Sequence, residues 1–228
     1  MEIVYEDNHL IVVNKAAGEI VQGDKSGDEP LLERVRRYIK ETYAKPGNVF
    51  CGLVHRLDRP VAGLVVFAKT SKALSRMCEL FRNGEVSKTY WAITRNEPAE
   101  PEGHLRHWIT TVERTNKSTA HNAPRPDAKE ARLSYRLIAR SDRYNLLEVK
   151  LETGRKHQIR VQLAAIGCPV RGDLKYGDKR SNPDGSISLM ARKIEFIHPV
   201  SKQPLSLTAP VPQGDALWQA LEQLAISN

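Results

Sequence analysis

The apolar segments of this chain are short and are interrupted by polar residues, which limits the folds that it can adopt. The longest unbroken apolar run, Leu64 to Ala68, has five residues, whereas a membrane-spanning helix needs about 20. Short segments that alternate between a strand-like period of two and a helix-like period near four are typical of mixed domains. The sequence therefore predicts an α+β fold and no membrane span.

The strands and helices can be located from this periodicity and from the residues that border it. Ser71 is predicted to cap the second helix and Gly84 to end it. Two polar stretches without periodicity, 97–103 and 113–130, are predicted to be loops. The predicted strands cover residues 2–5, 9–15, 63–69, 86–94, 104–111, 131–139, 145–152, 188–196 and 205–208, and the predicted helices cover 30–43, 71–83, 157–166 and 215–226. We expect a single domain over residues 1–228 that the long loops could split into two halves.

Positive charge is concentrated in two parts of the chain. The 35 Lys and Arg residues exceed the 27 Asp and Glu residues, and the formal net charge is +8. Such a balance fits a nucleic-acid partner, but it also occurs in proteins that need it only for solubility. In the first cluster, residues 54–76, Asp58 is the one acid among five cations. Asp58 is either a functional carboxylate or the partner of Arg56 or Arg59 in a structural ion pair.

The second basic cluster, residues 155–180, holds seven cations against Asp173 and Asp178. Thr153 and Gly154 place a turn before the predicted helix, so several cations and backbone N–H groups project from its N-terminus. That arrangement suits a phosphate chain. Because cations at this end oppose the helix dipole, we expect an anion to offset them.

Cysteine usage and the N-terminus indicate a cytoplasmic protein. The three cysteines are widely spaced and form no CxxC pair, which indicates neither a disulfide framework nor a zinc site. The first seven residues are acidic, unlike a signal peptide.

Several short motifs occur in the same order as in the RluA-type RNA pseudouridine synthases, and the chain resembles this family over nearly its whole length. Two departures stand out: Ala16 follows Lys15 where the family usually has proline, and Val61-Ala62 stands where it usually has Thr-Ser. The matching motifs are Asn14-Lys15-x-x-Gly18, His55-Arg56-Leu57-Asp58, Gly63-Leu64, Ala68-Lys69, Lys88-Thr89-Tyr90-Trp91-Ala92, Thr153-Gly154-Arg155-Lys156-His157-Gln158-Ile159-Arg160, Leu189-Met190-Ala191 and His198-Pro199.

The resemblance implies the pseudouridine synthase fold, a mixed, mostly antiparallel sheet flanked by helices with a central active-site cleft. It also implies an activity: a uridine of ribosomal or transfer RNA is flipped out of the RNA, detached at C1′ and rejoined through C5. This isomerisation involves no net redox change and no hydrolysis. We therefore expect RNA as the partner, no cofactor and no metal.

The resemblance assigns three residues to catalysis. Asp58 would be the essential carboxylate, either attacking C1′ or assisting formation of a glycal. Arg160 would pair with Asp58 and hold its orientation. Tyr90 would pack against the uracil, although an ordinary strand position is the alternative for this residue.

The same motifs imply contacts with the substrate. Arg56 would fill the gap left by the flipped base, with a plain phosphate contact as the alternative. Leu189 would line the uracil pocket, or else belong to the core. His55 fits a structural hydrogen bond better than catalysis. The remaining expected substrate-binding residues are Lys15, Arg155 and His157.

The predicted loop 113–130 is a candidate for binding RNA around the target, because long loops without structure are uncommon unless functional. The chain also starts almost directly with the catalytic motifs, so we expect no N-terminal S4 RNA-binding domain. The basic and histidine residues of this loop are Arg114, Lys117, His121, Arg125 and Lys129.

Two other functions fit parts of the sequence. A non-catalytic RNA-binding or RNA-folding factor could keep this fold, and the unusual Val61-Ala62 pair favours it, whereas the complete set of Asp58, Tyr90 and Arg160 argues against it. A glycosidase acting on nucleic acid would need two working carboxylates, and the motifs offer one.

Overall fold

The computed structural model describes residues 1–227, and the chain forms two compact units in it. Unit 1 comprises Met1–Val86 and Arg192–Pro210, and unit 2 comprises Ser87–Ala191 and the residues from Val211 onwards. Each unit contains both strands and helices. The predicted α+β class is thus confirmed. The boundaries between the units fall at 86–87, 191–192 and 210–211, and both long polar stretches lie within unit 2.

The elements are numbered along the chain. The strands are β1 (Glu2–Glu6), β2 (Leu10–Lys15), β3 (Gly52–Leu53), β4 (Ala62–Ala68), β5 (Ser87–Thr94), β6 (Glu102–Val112), β7 (Lys117–His121), β8 (Lys129–Arg140), β9 (Asn145–Leu151), β10 (Leu189–Ile197) and β11 (Pro204–Thr208). The α-helices are α1 (Leu31–Thr42), α2 (Ser71–Asn83), α3 (Gln158–Ala165) and α4 (Ala216–Ser227).

The sheet of unit 1 is built around the buried strand β4. The order is β1-β2-β4, the short strand β3 also pairs with β4, and β10 pairs with β11. These pairings are antiparallel. Helix α1 buries Leu31, Val35 and Ile39, whose spacing of four puts them on one face. The apolar faces of the strands and of α1 make the core of this unit.

Helix α2 shows how local signals set the ends of a helix. The side chain of Thr70 accepts a hydrogen bond from the backbone N–H of Ala73 at 3.1 Å, and Gly84 ends the helix in the left-handed conformation at φ +74°. The predicted end is confirmed. The predicted cap at Ser71 is wrong by one residue, because Thr70 has the extended backbone that lets its hydroxyl reach the N3 amide.

Unit 2 contains five strands in the order β5-β9-β8-β6-β7, with antiparallel pairing throughout. Helix α4 packs against β8 and β9, and α3 packs against β6 and β7. The mostly antiparallel pairing expected from the family resemblance is confirmed. No helix within residues 1–227 has the length and apolar character needed to cross a membrane.

The predicted long loop 113–130 is partly wrong. Residues Glu113–Thr115 form a 3₁₀ turn, and β7 follows and pairs with β6. The sequence pattern missed β7 because polar contacts hold it in place. Ser118 is buried and its hydroxyl lies 3.0 Å from that of Thr111, and His121 Nε2 lies 3.0 Å from the Thr110 hydroxyl.

Candidate active site

Asp58 lies in unit 1, on the segment that connects β3 to β4. A turn follows it, in which the backbone N–H of Val61 donates to the Asp58 carbonyl at 3.0 Å. The chain then enters β4, all of whose residues are buried. The carboxylate of Asp58 is half-buried, and Arg56 beside it is exposed. The catalytic aspartate expected from the motifs thus lies on a connecting segment at the start of a rigid strand.

The carbonyl of Arg59, the residue after Asp58, is held by two donors. The backbone N–H of Gly18 donates to it at 2.8 Å, and the Lys15 ammonium donates at 3.1 Å. Lys15 also donates to the carbonyls of Ala16 at 2.9 Å and Glu19 at 2.8 Å. The turn after Asp58 is therefore fastened to the turn that follows β2.

This position corrects the expectation that Lys15 contacts RNA. Its side chain is 1% exposed, and its three N–H groups point to three backbone carbonyls. Burial lowers the pKa of Lys15 to about 8, against the opposing effect of the nearby carboxylates of Glu19 and Asp58. Lys15 supports the loop of Asp58 from inside the protein.

His55 holds the other side of this segment. Its Nε2 accepts a hydrogen bond from the backbone N–H of Val66 in β4 at 3.1 Å. Its ring stacks on Phe81 of α2, with 4.8 Å between the ring centroids. The structural hydrogen bond expected of His55 is confirmed, and direct contact with the substrate stays a prediction.

Arg160 lies in unit 2 and is buried with a carboxylate. Its Nε lies 2.6 Å from Asp173 Oδ2 and its Nη2 lies 2.9 Å from Asp173 Oδ1, so the two side chains form a bidentate ion pair. The two side chains are 6% and 1% exposed. Arg160 is the third residue of α3, so its charge opposes the helix dipole there. Asp173 supplies an anion of the kind that the sequence predicted for this helix end.

The ring of Tyr176 lies under the Arg160 guanidinium, 5.0 Å from ring centroid to Cζ. The hydroxyl of Tyr176 accepts a hydrogen bond from the backbone N–H of Ser118 at 2.8 Å and lies 2.7 Å from His157 Nδ1. His157 is 7% exposed and occupies the left-handed conformation at φ +56° just before α3. This packing explains His157 as a residue that positions the start of α3, and a role in binding substrate stays a prediction.

The other expected site residues of unit 2 lie on strands and on the loop before α3. Tyr90 is 9% exposed on β5, opposite Val149 of β9, and Leu189 is 4% exposed at the start of β10. Arg155 is exposed, and its Nε donates to the Glu130 carbonyl at 2.8 Å. Their roles at the substrate stay predictions.

Asp173 and Tyr176 were not expected from the sequence to support the site. The signal was available for Asp173, which is one of two acids among seven cations between residues 155 and 180. Asp173, like Asp58, is an acid within a cluster of cations. Nothing in the sequence pattern pointed to the hydroxyl of Tyr176, because its partners lie on β7 and before α3.

A carboxylate on a fixed turn is a group that can stabilise or attack a developing positive charge at a sugar carbon. Within residues 1–227, no group of three or more His, Cys, Asp or Glu side chains is arranged to hold a metal ion.

A family model described as RNA pseudouridylate synthase matches residues 9–165, and the chain belongs to this family. The predicted class, an RNA-modifying isomerase, is confirmed and is favoured over the non-catalytic RNA-binding factor.

Named relatives are similar along most of their lengths. The chain is 33% identical to "tRNA pseudouridine synthase C" of Vibrio vulnificus, over 97% of this chain and 94% of that protein. It is 32% identical to "Ribosomal large subunit pseudouridine synthase D" of Xanthomonas campestris, over 98% of this chain and 70% of that protein. The solved structure of human RNA pseudouridylate synthase domain containing 4 is 26% identical, with a TM-score of 0.78 and coverage of 93% of this chain and 89% of that one.

Proposed function

We propose that this protein converts a uridine of transfer or ribosomal RNA to pseudouridine, with Asp58 as the essential carboxylate. The observation that carries the proposal is the loop of Asp58, which Lys15, Gly18 and His55 fasten at both sides. Holding a reacting group in one orientation accelerates a reaction most when that orientation limits the rate. The names of the similar tRNA and rRNA enzymes support both classes of substrate.

The reaction breaks the bond between C1′ and N1 of the uridine and forms a bond between C1′ and C5. The hydrogen on C5 leaves as a proton and N1 gains one, so that the product is an isomer of the substrate. Asp58 would act at C1′, either as a nucleophile or by assisting loss of a proton to give a glycal. Both routes need an ionised carboxylate.

The other site residues take supporting roles in this proposal. Tyr90 packs against the uracil ring, Leu189 lines the pocket for the base, and Arg160 orients the carboxylate of Asp58. Arg56 is exposed on the same segment as Asp58, and this placement fits insertion into the RNA stack or a phosphate contact.

Unit 2 offers a basic surface around the tip of the β6–β7 hairpin. Exposed cations of the hairpin lie beside Lys156, which pairs with Glu113 at 2.8 Å, and Lys175, which donates to the Asn116 carbonyl at 2.8 Å. We infer that the hairpin cations Arg114 and Lys117 contact RNA phosphates. The structure gives Arg125 a different setting, 3.7 Å from Asp127. A single catalytic domain without an S4 domain, and a cytoplasmic location, stay predictions.

Release of tritium from RNA labelled at C5 of uridine tests the proposal. The wild-type protein should release label from tRNA or from ribosomal RNA, and sequencing for pseudouridine in cells with and without the protein should locate the site. Asp58→Asn should release no label and still bind RNA. Asp142→Asn, an exposed turn residue, is the matched control and should release label normally. Normal release by Asp58→Asn would refute the assignment, and free uracil as the product would indicate a glycosidase.

A further inference from the structure

Arg59, the residue after Asp58, combines a fixed backbone with an exposed side chain. Its carbonyl is held by the Gly18 N–H and the Lys15 ammonium, whereas its side chain is 47% exposed. Because consecutive Cα atoms are about 3.8 Å apart, the guanidinium of Arg59 extends from a fixed point directly beside Asp58. An exposed cation is therefore anchored next to the expected reacting carboxylate.

The guanidinium of Arg59 is paired with a carboxylate of the segment before α1. Arg59 Nη2 lies 2.5 Å from Asp28 Oδ2, and the Asp28 side chain is 54% exposed. Hydrogen bonds from Ser26 lower the pKa of Asp24, and the positive charge of Arg59 adds to this effect. An acidic loop, residues 24–29, thus supplies anions to the cation beside Asp58.

The pair of Arg59 and Asp28 contributes little to the stability of the fold. Both partners are about half exposed, and ion pairs in such a setting are weak because water and salt screen them. The hydrogen bonds that fix this turn use the backbone carbonyl of Arg59 and leave its side chain out. A stronger anion can therefore replace Asp28 without disturbing the loop of Asp58.

A backbone phosphate of RNA has the chemistry to make this replacement. Its two unesterified oxygens match the planar guanidinium and can accept two hydrogen bonds from it. Each ribose within an RNA chain carries a phosphate on either side, so a ribose whose C1′ reaches Asp58 brings phosphates close to the next residue. Phosphate contacts of this kind set the position of a nucleic acid on a protein.

We propose that Arg59 binds a backbone phosphate beside the flipped uridine, and that Asp28 is the anion that occupies Arg59 until RNA displaces it. Asp28 thereby weakens the binding of any RNA that does not bring a phosphate to Arg59. This inference rests on the proposed function, since it takes the loop of Asp58 to be the place where the ribose reacts.

Filter binding of unfractionated tRNA at several salt concentrations tests the role of Arg59. Arg59→Gln should lower the affinity about 10-fold at low salt, as expected for the loss of a charged hydrogen-bonded contact. The slope of log affinity against log salt should become smaller by about 1. Since Arg59 binds the substrate and takes no part in bond breaking, tritium release at saturating RNA should stay close to the wild-type rate.

The double-mutant cycle with Asp28 tests the competition. Asp28→Asn should raise the affinity for tRNA about 3-fold, because the phosphate no longer has to displace a carboxylate. In the Arg59→Gln background, the same substitution should change the affinity little, because the two effects act through one guanidinium.

The pair of Arg37 and Glu29 is the matched control. Arg37 Nη1 lies 2.5 Å from Glu29 Oε1, and the two side chains are 55% and 46% exposed. Glu29→Gln removes a negative charge from the same acidic loop, so an effect of overall charge would be equal for Asp28→Asn and Glu29→Gln. We expect Glu29→Gln and Arg37→Gln to bind tRNA with about the wild-type affinity.

Three results would overturn the inference: an unchanged salt slope in Arg59→Gln, an equal gain of affinity from Asp28→Asn with and without Arg59, or an equal gain in Glu29→Gln. Failure of the proposed function would look different, because the wild-type protein would then bind RNA and release no tritium from it.

Discussion

Replacing Lys15 by methionine removes a buried ammonium group and keeps a side chain of similar length. Three backbone carbonyls, those of Ala16, Glu19 and Arg59, each lose one donor, and the Gly18 N–H still donates to the Arg59 carbonyl. A buried acceptor left without a donor costs about 1–3 kcal/mol. Ala16 and Arg59 are exposed residues whose carbonyls water can partly reach, so the lower end applies. We expect Lys15→Met to lower the free energy of unfolding by about 3 kcal/mol at pH 7.

The effect should grow as the pH rises. Burial lowers the pKa of Lys15 in the folded protein to about 8, from an ordinary value of 10.5. Between these two values the unfolded chain binds a proton that the folded protein does not, so the wild-type protein gains stability with rising pH. This gain is absent below pH 8, and methionine does not titrate. The difference between wild type and Lys15→Met should therefore widen by about 2 kcal/mol between pH 7 and pH 9.5.

Urea unfolding followed by tryptophan fluorescence at pH 7 and pH 9.5 measures the loss of stability in Lys15→Met and its change with pH. Lys25→Met, at an exposed position, is the control and should match the wild type. Tritium release should also fall in Lys15→Met, because the turn after Asp58 loses one of its two anchors. Equal stability of Lys15→Met and wild type at pH 7 would refute the account of the three carbonyls. A difference that does not change with pH would refute the effect of burial on the ammonium group.

Two further substitutions test other parts of the structure. Gly18→Ala should lower the free energy of unfolding by about 1–2 kcal/mol, because Gly18 has φ +90° and an added Cβ meets no other atom within 4 Å, so that the cost lies in the backbone. Gly214→Ala, at a position with open space and no positive φ, is the control and should be neutral. Equal effects of the two substitutions would contradict the backbone explanation. Reversing the charge of Arg114 and Lys117 together should weaken RNA binding and reduce the slope of its salt dependence by about 2, as measured by filter binding at several salt concentrations. Charge reversal at Lys25 is the control and should not change the slope. An unchanged slope in the Arg114 and Lys117 variant would show that the hairpin is not part of the RNA-binding surface.

The sequence predicted the elements whose formation depends on local signals. Helix α1 was recognisable from the spacing of Leu31, Val35 and Ile39, and the end of α2 from Gly84. Strand β4 was recognisable from its unbroken apolar run. In each case the residues that cause the element are close together in the sequence, so periodicity and capping rules apply directly.

The elements and roles that were missed depend on partners far away in the sequence. Strand β7 is polar, and its place follows from hydrogen bonds that Ser118 makes with Thr111 and Tyr176. Lys15 looked like a surface cation, and only the carbonyl of Arg59, 44 positions away, shows its structural role. The motifs indicated Asp58 and Arg160, but the pairing of Arg160 with Asp173 needed the folded chain.

The division into two units also sets the order in which the chain can fold as it is synthesised. Unit 1 needs residues 192–210, where His198 Nε2 lies 3.0 Å from Asp7 Oδ2 and the Pro199 carbonyl accepts from Arg76 at 3.1 Å. Its first 86 residues leave the ribosome long before these partners, and residues 87–191 of unit 2 emerge in between. Unit 1 therefore gains its last partners only when nearly the whole chain has been made.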